Sequence, residues 1–257
     1  MPYKQQLKQI QSLHQKKYRY IHQLFLAEGH KIVEEVINAG YPLKEIYALP
    51  SWIDRHEKII HEKKISIISL TQQEMQKISN LESAQDVIAI CKFPSSRPRK
   101  YEKGSFYLFI DSIRDPGNLG TIIRTADWFG VKHIFLTEDT VEWTNPKVIQ
   151  ATMGSFVRVS AETIKIPDFF NSIKGELPLY AADIHGESIY NNENFHSGIL
   201  IVSNESRGLS PQIKPYVDKK ISIPRFHTEN DRGPESLNAA VACGIILGEI
   251  KRRKLKE

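Results

Sequence analysis

The chain carries two patterned stretches separated by a polar break. From residue 106 onward, short apolar runs alternate with stretches in which apolar residues recur every three or four positions. Strands are expected at 106–110, 133–136, 179–182, 199–202 and 220–223, and helices around 119–129, 145–153, 166–174 and 235–253. Near-continuous apolar strands alternating with helices predict an α/β fold, a parallel sheet covered on both faces. Ahead of the break lies a smaller α/β pattern, with strands expected at 24–27, 45–49, 65–68 and 87–90. Ile32, Val33, Val36 and Ile37 share one face of a helix over 29–39, a further helix is expected over 52–61, and Thr71-Gln-Gln-Glu74 has the form of a capping box. The break itself, residues 92–105, gathers prolines, serines and basic residues around a single glutamate, a composition that solvates and does not pack. The pattern thus predicts a small domain over 1–95, a linker over 96–105 and a larger domain over 106–257.

Composition adds bounds. With 257 residues, 40% hydrophobic and 25% charged, the chain can bury a sizeable core. A net charge of +5 favours an acidic partner, nucleic acid first. The segment bearing Lys4, Lys8, His14, Lys16, Lys17, Tyr18, Arg19 and Tyr20 reads equally as a solvated helix face or an RNA contact. The N-terminus lacks the apolar core of a signal peptide, and the apolar stretch 241–247 is too short to cross a bilayer, so a cytoplasmic protein with no membrane partner is expected. Cys91 and Cys243 lie far apart in apolar surroundings and are expected as buried free thiols. No Cys/His cluster has metal-ligand spacing, so no metal site is expected.

Three segments place polar residues and glycine directly after an apolar run, where an α/β sheet presents its ligand-binding loops. In the first, Asp115-Pro-Gly-Asn118 makes a turn, and Arg124 follows on the helix that the turn launches, offering a planar fork of donors suited to phosphate. Its glycine spacing matches neither a dinucleotide-binding loop nor a P-loop, which excludes NAD and ATP. In the second, Ser203-Asn-Glu-Ser-Arg-Gly208 brings Glu205 to a strand end, read either as a functional carboxylate or as an N-cap acid before a following helix. In the third, Ser236-Leu-Asn238 opens a helix rich in Ala and Gly, with Ser236 also readable as its N-cap. The Ala/Gly face fits either core packing or a close helix contact across a subunit boundary.

Taken in order, these segments resemble the three motifs of the SpoU (TrmH-like) branch of the SPOUT methyltransferases, and Asn145-Pro-Lys-Val with Met153-Gly-Ser155 resembles the segment this family carries between the first two. The module around Leu26-Ala-Glu-Gly-His-Lys31 looks like the family's L30-like substrate-binding domain. The resemblance implies transfer of a methyl group from S-adenosyl-L-methionine to a ribose 2′-hydroxyl in RNA, 23S ribosomal RNA ahead of tRNA. It implies a parallel sheet whose C-terminal part threads a trefoil knot, and a homodimer to which the helix over 235–253 would contribute. Asn118, Arg124, Glu205, Ser236 and Asn238 match the family's polar active-site positions, and Ser203, Asn204, Gly208, Ile223 and Leu237 its cofactor-binding positions. Because a guanidinium stays protonated in proteins, Arg124 is read as an anchor for phosphate and the developing alkoxide, and the general base stays unassigned.

Three positions depart from the family pattern. Ser203 stands where glycine is usual, Gln150 replaces a frequent basic residue, and the loop 225–235 is longer and more polar than its counterpart, so that it could act as a lid. The competing readings are a tRNA 2′-O-methyltransferase and an RNA-binding protein that keeps the methyltransferase fold with little activity.

Overall fold

A computed structural model describes residues 2–94, 102, 104–191, 195, 197–226 and 234–255. The linker and the centre of the 225–235 loop lie largely outside the described residues. The backbone divides into two compact units, Met1–Pro98 with Trp143–Val157, and Arg99–Glu142 with Arg158–Glu257.

In the first unit, helices α1 (Pro2–Ser12) and α2 (Lys16–His22) precede β1 (Leu24–Glu28), α3 (His30–Asn38), β2 (Leu43–Ala48), α4 (Pro50–Glu62), β3 (Ile67–Ser69), α5 (Gln72–Ile78) and β4 (Val87–Lys92). The sheet has the order β1-β4-β2-β3, with β4 antiparallel to both neighbours and β3 parallel to β2. The capping box that opens α5 is formed, Glu74 N–H donating to Thr71 Oγ1 at 3.3 Å and Thr71 N–H to Glu74 Oε2 at 2.9 Å. Arg19, grouped in the sequence with a basic surface segment, is fully buried and donates to the carbonyls of Leu13 and His14 at 2.7 and 2.8 Å. Burial lowers its pKa to about 10, still far above neutral pH, so its charge braces the α1–α2 junction and is withheld from any partner.

The second unit runs through β5 (Phe106–Asp111), α6 (Pro116–Trp128) and β6 (His133–Leu136). The chain then leaves through α7 (Pro146–Thr152), which belongs to the first unit, and returns as β7 (Ser160–Thr163), α8 (Ile166–Ser172), β8 (Leu179–Ser188), β9 (Gly198–Ser203), β10 (Lys219–Ser222) and α9 (Ala239–Lys254). The sequence pattern assigns α7 to the larger domain. Apolar burial places it otherwise, since α7 packs on β1 while Phe25 meets Trp143 and Phe156 edge-on at 5.2 and 5.5 Å.

All pairings in the six-stranded sheet, order β10-β8-β9-β5-β6-β7, are parallel, as expected. One face of the sheet is filled by Tyr107, Phe109, Phe135, Phe169, Phe170 and Ile201. β7 escapes detection in the sequence because it is an edge strand reading Ser-Ala-Glu-Thr with one buried residue, so it carries no apolar run. The observed α6 begins at Pro116 and α9 at Ala239, against expected starts of 119 and 235. Cys91 and Cys243 are free and fully buried, and burial raises both thiols, Cys243 to about 12, which leaves them unreactive near neutral pH.

Pairing of β10 with β8 jumps from Ala181 to Glu187 as β10 advances from Lys220 to Ile221. Gly186 sits inside that jump, and a Cβ there would lie 2.5 Å from the Ile221 backbone nitrogen. Backbone cannot yield as a flexible side chain does, so Gly186→Ala is expected to destabilise the protein by about 1–3 kcal/mol. A fall in the urea midpoint with an unchanged m-value checks this.

Candidate active site

The end of β5 organises the carboxyl edge of the large sheet. Asp111 is fully buried, and its carboxylate accepts from Ser210 N–H at 2.7 Å and Ser210 Oγ at 2.5 Å. Ser112 adopts φ +59°, a left-handed conformation that turns the chain out of the strand, and its hydroxyl reaches Asp111 Oδ1 (2.9 Å) and Asp139 Oδ2 (2.7 Å). Burial raises the Asp139 pKa, but hydrogen bonds from Thr137 and Ser112 outweigh it, and the carboxyl lies below its ordinary value. This network was not singled out in the sequence. Its signal was an aspartate closing a wholly apolar strand.

Beside it, β9 ends at Ser203, paired in register with Asp111. Asn204 N–H donates to the Asp111 carbonyl at 3.1 Å, and Asn204 Oδ1 accepts from the N–H groups of Ser206 and Arg207 at 3.0 and 3.2 Å. Asn204 thereby folds its own loop, which closes through Gly208 N–H to the Asn204 carbonyl at 2.9 Å. Gly208 takes φ +64°, and a Cβ there would meet nothing within 4 Å, so backbone conformation and not crowding calls for glycine. Ser203 is half-buried, and its hydroxyl makes no hydrogen bond to another described residue.

Asp115 caps α6 by accepting from Asn118 N–H at 2.7 Å, with Pro116 as the first helical residue, so the expected turn is the helix start itself. Capping fixes the Asn118 backbone in the first turn, and its side chain donates through Nδ2 to Glu205 Oε1 at 3.1 Å. Asn118 Oδ1 in turn accepts from Asn238 Nδ2 at 2.9 Å, and Asn238 Oδ1 accepts from Ala240 N–H and Val241 N–H at 3.0 and 3.3 Å. Both ends of this chain dictate its polarity. A carboxylate only accepts and helix N–H groups only donate, so each amide has one workable orientation. Glu205 Oε1 also accepts from Ala239 N–H at 2.8 Å. Glu205 is therefore a cap acid after all, yet for α9, the helix that begins 34 residues later, and not for a helix directly following it. The N-cap of α9 is Asn238 in place of Ser236.

The structure thus joins Asn118, Glu205 and Asn238 directly. Arg124 lies exposed on α6 with no hydrogen bond or ion pair to another described residue, and Ser236 is exposed. Leu237 is 43% exposed although apolar, and Ile223, just past β10, is half-buried. In the first unit, Gln150 lines a cavity of about 280 Å³ with His14, Glu28, Asn80 and Lys147. The first unit also gathers His30, Glu34 and His56, whose side-chain donor atoms all lie within 4.8 Å of one another. His30 and Glu34 stand four apart in the chain, but the cluster as a whole is hidden there because His56 comes from a different helix.

Residues 105–248 match the SpoU rRNA Methylase family, and residues 4–89 the MRM3-like substrate binding domain. The chain belongs to the SpoU rRNA methylase family. It is similar to the 23S rRNA (guanosine(2553)-2′-O)-methyltransferase RlmP of Bacillus subtilis (strain 168), with 28% identity over 96% of each chain. Among solved structures, it is similar to an AdoMet-bound rRNA methyltransferase from Sinorhizobium meliloti, with 28% identity, a TM-score of 0.82, and 96% of this chain and 94% of that one covered. A TM-score of 0.84 to the SpoU methyltransferase AviRb from Streptomyces viridochromogenes, at 21% identity and covering 97% and 98% of the two chains, speaks for the fold alone.

Glu205→Ala leaves the Asn118 amide and the Ala239 N–H without their acceptor and is expected to cost about 1–3 kcal/mol. Glu205→Gln keeps an oxygen that can take both bonds, so its loss is expected to be less than half of that. Chemical denaturation of the two variants side by side makes the comparison, and equal losses would contradict the shared-acceptor role.

Proposed function

We propose that this chain methylates a ribose 2′-hydroxyl of large-subunit ribosomal RNA. As a SpoU methylase it is an S-adenosylmethionine-dependent RNA methyltransferase. The observation that carries the reading is the Asn118–Glu205–Asn238 chain, which draws three separate motif segments into one polar cluster. The similarity to a 23S rRNA enzyme, 28% identity over 96% of the chain, supports ribosomal RNA as the substrate. An RNA substrate in turn supports a cytoplasmic setting. Among the described residues, no helix is long and apolar enough to cross a membrane.

The residues present fit the cofactor. The half-buried Ser203 hydroxyl is free of other described partners, Gly208 opens onto space, and Leu237 exposes an apolar side chain beside the α9 cap. Ser203, Asn204, Gly208, Ile223 and Leu237 would hold S-adenosylmethionine, whose sulfonium supplies the electrophilic methyl group. Asn118 and Asn238, their amides set by Glu205, would orient the ribose so that its 2′-oxygen is aligned for displacement. Arg124, charged and unpaired among the described residues, would neutralise the neighbouring phosphate and the alkoxide as it develops. Ser236, exposed before the cap, would contact the ribose or shape the cofactor pocket. No metal is needed for this displacement.

We infer three further features. Residues 1–95 would bind the RNA substrate, 96–105 link, and 106–257 carry catalysis; the two family matches at 4–89 and 105–248 support this division. The path from β8 to α9 would thread the family's trefoil knot, a reading supported by β10 lying beyond β8 in the sheet order. The working form would be a homodimer. Gly244 and Gly248 face Thr125 of α6 and Phe129 just past its end in the same chain, where Cβ atoms would lie 3.7 and 3.6 Å away, so the small residues serve packing within the chain. Val241 and Ile245, one turn apart on the outer face of α9 and 51% and 36% exposed, support a second copy of this chain as the missing cover.

Incubation with methyl-labelled S-adenosylmethionine and unmodified large-subunit rRNA, small-subunit rRNA or tRNA tests the reaction. Label is expected at a ribose of the large-subunit RNA, lowered roughly 10²–10³-fold by Arg124→Ala. Transfer to tRNA alone would replace the substrate, and no transfer together with no cofactor binding would leave an RNA-binding protein. For the dimer, sedimentation is expected to show two copies for the wild type and one for Val241→Asp/Ile245→Asp.

A further inference from the structure

Three groups meet on the first unit that the methyl transfer does not use. His30 and Glu34 lie four residues apart on α3, hence on one face of that helix, and His56 reaches them from α4. His56 Nδ1 stands 2.7 Å from the carbonyl oxygen of Trp52. A carbonyl only accepts, so Nδ1 carries a hydrogen, and in the neutral ring Nε2 is then a bare lone pair. That lone pair faces Glu34 Oε1 at 3.2 Å. Two acceptors that close repel unless a positive species lies between them, either a proton or a metal ion. His30 Nε2 approaches the same carboxylate oxygen at 3.4 Å.

The same separations admit a metal ion in place of the protons. With metal–nitrogen and metal–oxygen bonds of about 2.0–2.1 Å, neighbouring ligands of a tetrahedral ion lie about 3.4 Å apart. The two nitrogen–oxygen distances are 3.4 and 3.2 Å. The geometry points to a transition-metal site of the zinc type, built from His30 Nε2, Glu34 and His56 Nε2, which ties α3 to α4. Two imidazoles and one carboxylate suit zinc, cobalt or nickel and not magnesium or calcium, which favour all-oxygen shells. His56 is already oriented as a metal ligand, its second nitrogen held by the Trp52 carbonyl and its ring stacked on the Trp52 indole at 4.0 Å. The side chains of His30 and Glu34 are 45% and 39% exposed, which leaves an entry path and a fourth position open to solvent.

Loading carries a defined side effect. The Trp52 indole N–H reaches His30 Nδ1 at 3.3 Å, which requires the His30 proton to sit on Nε2. A metal at Nε2 moves that proton to Nδ1 and ends the contact, so Trp52 reports occupancy.

Untagged, metal-free full-length protein titrated with zinc chloride by calorimetry, with tryptophan fluorescence followed in parallel, tests the site. One equivalent of zinc is expected to bind, to change the fluorescence and to raise the melting temperature, while magnesium at the same concentration does none of these. Glu34→Gln and His56→Gln are each expected to weaken zinc binding at least tenfold. Should His56→Gln fail to fold, Glu34→Gln and His30→Asn, both at more exposed positions, decide the outcome. Absence of zinc binding, or variants that bind zinc as tightly as the wild type, would overturn the assignment.

Discussion

One carboxylate oxygen, Oε1 of Glu205, gathers three widely separated segments of the chain. It takes the Asn118 amide from 87 residues earlier in the chain and the Ala239 N–H from 34 residues later. Removing both donors from water is worthwhile only because the acceptor is charged and the α9 N-terminus carries a partial positive charge of its own. Through this single atom the start of α6, the loop after β9 and the start of α9 hold fixed spacing. Asn118 and Asn238 then have no freedom to flip, because reversing either amide would set two donors or two acceptors against each other.

Beneath that cluster, Asp111 does comparable work on the protein interior. A fully buried aspartate is tolerated because Ser210 supplies both a backbone and a side-chain donor. The loop after β9 is thus fastened twice, once by the Asn204 turn to the end of β5 and again by Ser210. A loop so fastened leaves Ser203 and Gly208 little conformational freedom.

Most of the large sheet was legible because its central strands are apolar on both faces, as in Ile199-Leu-Ile-Val202, all of it buried. β7 was not, since an edge strand with one buried residue has no such run. The motif residues were legible as types at strand ends, but their partners were not. Glu205 reads locally as a cap for whatever follows, and only the fold reveals that the helix it caps is α9. The packing of α7 with the first unit was not legible for a related reason, because chain order says nothing of Phe25 and its aromatic neighbours. Likewise Ala and Gly along α9 could not tell packing within the chain from packing between chains, whereas the approach of Gly244 to Thr125 can. The trio His30, Glu34 and His56 was half visible, as a histidine and a glutamate four apart, and lacked its third member.

The wide sequence separation bridged by Glu205 also sets an order of events as the chain is made. Synthesis runs from the N-terminus, so β5, α6 and β9 leave the ribosome before the helix they cap and support. Until Ala239 arrives, Glu205 has only part of its complement of donors, and the apolar face that α9 will cover on α6 stays open. A newly made chain therefore carries Asn118 and Glu205 for a time without the contacts that join them to the start of α9, which form only when that helix docks.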